Sequence, residues 1–430
     1  DAGLWMYDLM AGRRSVGRHR RIRAERAEEL VPTLNRAGLK EAFTYNDAQT
    51  NDSRLTIAVL RTAAQHGAVI ANYAEVTGFT RQGDTLSGAL VRDVLTDEMI
   101  TMSARHIVNA TGVFAEQVAS LANDMLNVKI EPSKGVHLVV PRERVGISDT
   151  AVVLPETDDK RILFVVPWGS RAIIGTTDTG TGDLDHPTAT SADIHYLLRH
   201  VNLYLDVQLT EDDIITTYAG YRPLVSTRGA RTANLSRTHV VLQDPSGLVT
   251  IVGGKLTTYR RMAQDTVDVM AKRDGMPRAH PTQRLPLSGA VGWRWAQSDL
   301  KARAQSLGLP PDIEEHLAFN YGRNAETILD LIERDPELSQ RLEADLPYVR
   351  AEVVYASRYE MAIRLEDVLA RRTRLILEAR DQGIRVAPEV AQLMGKELGW
   401  SPARVQAEEE QYTALAPYQR AEAEKERLLH

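Results

Sequence analysis

The sequence predicts an α/β (α+β) chain with an antiparallel, strand-rich middle and a separate all-helical C-terminal domain. Three observations carry that expectation. Two strand-to-helix corners built of small residues, NATG at 109–112 and VGGKL at 252–256, have the form that α/β folds use. Between about residues 136 and 258, short β-branched runs are bounded by Pro, Gly and Asp. From residue 298 onward the chain is almost entirely helix formers, with charges spread between apolar positions.

Residues 54–67 place apolar side chains at helical spacing and stop at Gly67, a natural C-terminal cap. Strands are expected at 68–77, 85–94 and 98–105, with the turn RQGD at 81–84 between the first two. The third leads into NATG and a helix from Val113. Further strands are expected at 135–140, 161–166, 171–175 and 239–242. Helical segments interrupt them at 190–198 and 210–215, each opened by a Thr three residues before an Asp, as in a capping box. Near the C-terminus, Ser401-Pro402 suits an N-cap followed by the first helical position.

A length of 430 residues suits two or three domains. The formal charge of −6 argues against a general nucleic-acid binder, whose footprint is basic. With no cysteine, disulfides, thiolate metal sites and cysteine nucleophiles are excluded, and a reducing cytosol fits. No apolar run approaches the roughly 20 residues of a membrane span.

The corner VGGKLTTYRR (252–261) points backbone N–H groups and a positive helix end at one spot, with Lys255 as a point charge. It reads either as an anion site or as a tight turn with an exposed lysine. It is not a Walker A loop, because Val249 stands at the first glycine position and Leu256 replaces the hydroxyl residue. Arg222, in YAGYRPL (218–224), either grips a carboxylate or phosphate or forms a structural ion pair. His137, on an alternating strand, is either a core histidine or a base. The run from Asp178 is no calcium loop, since Ala189 occupies the position that needs a bidentate Glu. The histidines show no metal-ligand spacing, so no metal is expected. Arg13, Arg14, Arg18, Arg20, Arg21, Arg23 and Arg26 form a basic cluster suited to anionic lipid headgroups or to a solvated face.

Taken in order, the motifs resemble the FAD-dependent (aerobic, respiratory) glycerol-3-phosphate dehydrogenases. They are WMYDL (5–9), YNDAQTNDSRL (45–55), VNATG (108–112), SKGVHLVV (133–140), FVVPW (164–168), IGTTDT (174–179), YAGYRPL, GGKLTTYR (253–260), RYEMA (358–362) and LARRTR (369–374). The resemblance implies an FAD-dependent oxidoreductase fold with an antiparallel substrate domain and a helical cap. Residues 1–130 and 248–275 would form a partial FAD-binding domain, 131–247 the substrate domain and 285–430 the cap. It implies oxidation of sn-glycerol 3-phosphate to dihydroxyacetone phosphate, with electrons passed to quinone at the cytoplasmic membrane surface, and it is compatible with a homodimer. Arg222 and Lys255 would bind substrate, with Arg222 also catalytic and His137 the base. Ala110, Thr111, Gly112, Gly253, Gly254, Lys255, Leu256 and Thr257 would contact FAD. Family members open with G-x-G-x-x-G, which this sequence lacks; GRRSVG (12–17) has the wrong spacing, and the first residue is Asp1. The expectation is an N-terminally incomplete chain. Two alternatives stay open: a remnant that only binds ligand or serves assembly, and an oxidase that uses O₂.

Overall fold

A computed structural model describes residues 2–11, 16–154, 157, 161–180, 182–227 and 238–416. Arg13 and Arg14 of the basic cluster lie outside them. The centre is a five-stranded antiparallel sheet in the order Thr216–Thr227, Val128–Pro141, Arg171–Gly175, Leu163–Trp168, Val152–Leu154. Successive side chains on a strand point to opposite faces. In Val128–Pro141 the set Val136, Leu138 and Val140 is fully buried. It packs with Leu163, Val165 and Ile174 against Ile194, Leu197 and Val201 of the helix Ser191–Tyr204. The alternate set, Gly135 and His137, belongs to the other face.

That helix opens with a complete capping box: Thr190 Oγ1 accepts from Asp193 N–H, and the Asp193 carboxylate accepts from Thr190 N–H. Thr210 and Asp213 make the second, but the element after them is only the 3₁₀ turn Glu211–Asp213, shorter than the periodicity suggests.

The antiparallel sheet Ala74–Gln82, Thr85–Asp93, Met99–Ser103 matches three expected strands with one correction. The first strand begins at Ala74 rather than 68, because Tyr73 takes a left-handed φ of 54° that no strand accommodates. A third sheet pairs Val249–Val252 antiparallel with Val240–Gln243 and parallel with Val108–Asn109.

The C-terminal part is helical, including Pro311–Tyr321, Ala325–Arg334, Arg350–Tyr359, Ala387–Leu398 and Pro402–Leu415. Ser401 caps the last of these through Arg404 N–H, and Pro402 follows it. Its interior carries a polar knot: Glu352, fully buried, accepts from Tyr321 Oη (2.8 Å) and Val349 N–H (2.8 Å) and lies 2.8 Å from His316 Nε2.

The helix Asp52–Gln65, in the N-terminal half of the chain, is tied to the helical C-terminal half. Asn51 caps it by accepting from Arg54 N–H, and donates to Asn320 Oδ1 at 3.1 Å. Arg54 forms a bidentate pair with Glu360 (2.6 and 2.7 Å), donates to the Asn320 carbonyl and lies over the Tyr321 ring at 4.1 Å. Its side chain is 7% exposed and that of Glu360 0%.

Removing one partner of such a pair leaves an uncompensated buried charge. Glu360→Ala is therefore expected to cost about 3–5 kcal/mol in denaturant unfolding. A loss below about 1 kcal/mol, the range of exposed pairs, would show that the contact does not join the halves.

Candidate functional site

Four residues line up across the face of the central sheet opposite its core. The register places Phe164 opposite Gly175, Gly175 opposite His137, and His137 opposite Tyr218. Gly175 leaves the room the imidazole needs: a Cβ there would lie 2.0 Å from His137 Cδ2. On its other side the ring stacks on Tyr218, with centroids 4.8 Å apart and planes 10° off parallel.

Arg222 belongs to the same face, on the rung of Ser133. Its guanidinium folds back over Gly135, where a Cβ would sit 2.4 Å from Nη2. Glycine within a strand marks such a close approach. Nη2 donates to Thr176 Oγ1 (3.1 Å) and Nη1 to the Thr177 carbonyl (3.4 Å), with Asp178 Oδ1 4.0 Å away. Gly135 and His137 are two residues apart, so guanidinium and imidazole stand about 7 Å from each other along the strand.

Burial pushes the His137 pKa down to about 4, with the Arg222 charge adding to the effect and Asp52 opposing it. The ring is neutral at pH 7, and among the described residues no hydrogen bond engages it. Burial pushes Tyr218 up to about 12, so its phenol keeps its proton.

The two corners come together at one sheet edge. Val249 and Thr250 pair in parallel with Val108 and Asn109, so Ala110–Gly112 and Gly253–Thr257 leave adjacent strands on the same side. Ligands of α/β sheets bind beyond such carboxyl ends. Gly253 and Gly254 have φ of 75° and 81°, and Gly254 also admits Met262 Sδ where a Cβ would be. Gly112, at φ 61°, has open space around it. Asn109 Oδ1 holds the first corner by accepting from Thr111 Oγ1 at 2.7 Å. Ala110, Thr111, Lys255, Leu256 and Thr257 are exposed. The second corner meets the strand of Arg222 through Val225, which packs against Gly253.

His137 and Arg222 thus share one face, and the two corners share one edge. Lys255 stands on the exposed shoulder, and its ammonium has no ion-pair partner among the described residues. Leu256 lines a cleft of about 670 Å³ together with Asp52, Ile57, Leu60, Tyr73 and Arg371. Sequence reasoning missed Tyr218, Asp52 and the receiving glycines Gly135 and Gly175. Gly175 carried a signal, since it interrupts the β-branched run of residues 173–177; Gly135 and Asp52 carried none.

The family described as FAD dependent oxidoreductase matches residues 3–260, and the C-terminal domain of alpha-glycerophosphate oxidase matches residues 280–405. Glycerol-3-phosphate dehydrogenase 2 of Mycobacterium tuberculosis H37Rv is 39% identical over 416 residues, 96% of this chain and 70% of its own length. The mitochondrial glycerol-3-phosphate dehydrogenase of Mus musculus is 36% identical, over 97% of this chain and 59% of its own length. Among solved structures, the glycerol-3-phosphate dehydrogenase of Bacillus halodurans complexed with FAD superposes with a TM-score of 0.82 at 27% identity. That match covers 93% of this chain and 79% of the other.

Gly175→Ala is expected to drive the imidazole off Tyr218 and to cost about 1–3 kcal/mol of stability as overpacking. Denaturant unfolding and the histidine ring resonances would read the two effects. An unchanged ring environment would contradict the packing described.

Proposed function

Because this chain belongs to the family of FAD-dependent glycerol-3-phosphate dehydrogenases, we propose that it oxidises sn-glycerol 3-phosphate to dihydroxyacetone phosphate and delivers the electrons to quinone. The observation that carries the reading is a neutral imidazole and an arginine fork side by side on one sheet face, with two glycine-rich corners at a neighbouring edge.

The corners fit a flavin dinucleotide. Gly112, Gly253 and Gly254 leave bare backbone that a planar ring system can approach, and Ala110, Thr111, Leu256 and Thr257 flank it. Bound FAD supplies the hydride acceptor. Arg222 binds the substrate phosphate as a fork, its direction set by Thr176 and Thr177. Lys255 adds a point charge from the exposed corner. His137 accepts the proton of the C2 hydroxyl, and Arg222 stabilises the charge that develops on that oxygen. The spacing of about 7 Å suits a phosphate one carbon away from the reacting hydroxyl.

In this reading residues 1–130 and 248–275 carry the cofactor, 131–247 the substrate and 285–430 a helical cap. A peripheral place on the inner membrane face is supported by the helix Ala2–Ala11, which exposes Trp5, Leu9 and Met10 beside exposed Arg18, Arg20 and Arg23. Arg21 and Arg26 are paired with Glu41 and Glu29. No helix among the described residues is long and apolar enough to cross a membrane. The match of the helical region to an oxidase domain keeps O₂ as the second acceptor to test.

The purified chain, mixed with FAD and desalted, should show flavin absorbance that bleaches on adding glycerol 3-phosphate. A colourless protein would favour a ligand-binding or assembly role. Reoxidation by a soluble quinone should outpace reoxidation by O₂; the reverse order would make it an oxidase.

Two variants and a pH profile test the residue roles. Lys255→Ala should raise KM for glycerol 3-phosphate about tenfold or more while flavin retention changes less than about twofold. Equal loss of both would assign the lysine to the cofactor. A base must be unprotonated to act, so kcat/KM should stay level through neutral pH and fall only as pH drops toward the His137 value of about 4. A limb centred near the ordinary histidine value would exclude His137 in this state.

A further inference from the structure

Beyond Gly175 the chain keeps running alongside the strand Val128–Pro141, but out of step with it. Gly175 stands opposite His137 and Thr179 opposite Lys134, so four steps on one side span three on the other. The one extra residue is a bulge, which re-aims the side chains around it. In unbroken register residue 178 would stand opposite Lys134, on the side of the core. The extra residue sets it level with Gly135 instead, on the face of His137 and Arg222. Hydrogen bonds fasten the segment around the bulge. Val136 N–H donates to Thr177 Oγ1 (3.0 Å), and Lys134 and Thr179 exchange backbone hydrogen bonds of 3.0 Å each. Lys134 is anchored in turn, with its ammonium 3.0 Å from Asp193 and donating to the Thr188 carbonyl at 3.1 Å.

Asp178 arrives in this way beside the guanidinium. Its Oδ1 stands 4.0 Å from Arg222 Nη1 and accepts a hydrogen bond from Ser133 Oγ, and Ser133 is the residue paired with Arg222 across the strands. Ser133 is 7% exposed, whereas the Asp178 side chain is 37% exposed and borders a cavity of about 520 Å³ that Lys134 and Arg161 also line. Without the serine, the carboxylate would be released to turn toward those cations. We propose that Asp178, aimed by the bulge and held by Ser133, is a positioning residue that sets the direction of the Arg222 fork for the substrate phosphate. The proposal rests on the phosphate-binding role given to Arg222 above. Thr176 and Thr177 hold the guanidinium through neutral oxygens. Asp178 adds a charge, whose pull acts at 4.0 Å, beyond the reach of a hydrogen bond.

Titration of the full chain with inorganic phosphate, followed by phosphorus NMR line width, reads this without flavin or turnover. Asp178→Asn keeps an acceptor for Ser133 and removes the charge. It should weaken phosphate binding about three- to tenfold, and where flavin turnover is present the KM for glycerol 3-phosphate should rise by the same factor. Ser133→Ala should move both in the same direction by a smaller factor. A partly exposed pair contributes little to stability, so both variants should melt close to wild type. In the Arg222→Gln background, Asp178→Asn should have no further effect on phosphate, because the group it directs is gone. Unchanged or tighter phosphate binding in Asp178→Asn, or its full effect persisting beside Arg222→Gln, would overturn the proposal. Unchanged phosphate binding in Arg222→Gln alone would defeat the reading of Arg222 itself, and the proposal with it.

Discussion

A β-strand can offer only every second residue to one face, and the strand Val128–Pro141 obeys that constraint to the benefit of both faces. Val136, Leu138 and Val140 serve the core beneath the helix Ser191–Tyr204. That assignment fixes Ser133, Gly135 and His137 on the opposite face. The neighbouring strand is bound by the same rule, so Tyr218 and Arg222 must appear beside them. A one-residue slip would bury the arginine in the apolar core and expose the valines. The chemistry of the site is therefore as strongly specified as the hydrophobic packing below it.

Two glycines convert that face from a surface into a site. Gly135 receives the Arg222 guanidinium and Gly175 receives the His137 ring. Larger residues would push both groups outward and apart. Held flat against the sheet, the imidazole loses its hydration and stays neutral. The helical region grips the far end of that face, where Arg171 donates to the Glu378 carbonyl, Gln382 donates to Thr216 and Arg374 lies over Trp168. The Arg54–Glu360 pair fastens it to the helix that presents Asp52. Fold and site meet in these few long-range polar contacts.

Much of this was legible in the sequence because it is local. Both Thr-x-x-Asp caps, the Ser401-Pro402 start, the helix ending at Gly67 and the two glycine corners are encoded within a few residues. The adjacency of the corners was not, since nothing local says that Val249–Val252 pairs with Val108–Asn109. Nor were the pairing of Arg54 with Glu360 and the seating of Arg374 over Trp168, contacts that cross more than 300 and 200 residues of chain. The helical reading of 210–215 went too far because its apolar Ile214 and Ile215 are buried at the edge of the sheet core, after a single 3₁₀ turn.

The central claim is that one face of the sheet holds both ends of the substrate, the phosphate at Arg222 and the reacting hydroxyl at His137. A crystal structure of the flavin-loaded chain soaked with glycerol 3-phosphate tests it most directly. The account predicts phosphate oxygens within hydrogen-bond distance of the Arg222 guanidinium and the C2 hydroxyl within reach of a His137 ring nitrogen, about 2.6–3.2 Å. Substrate bound elsewhere, or bound here with its hydroxyl turned away from His137, would contradict it.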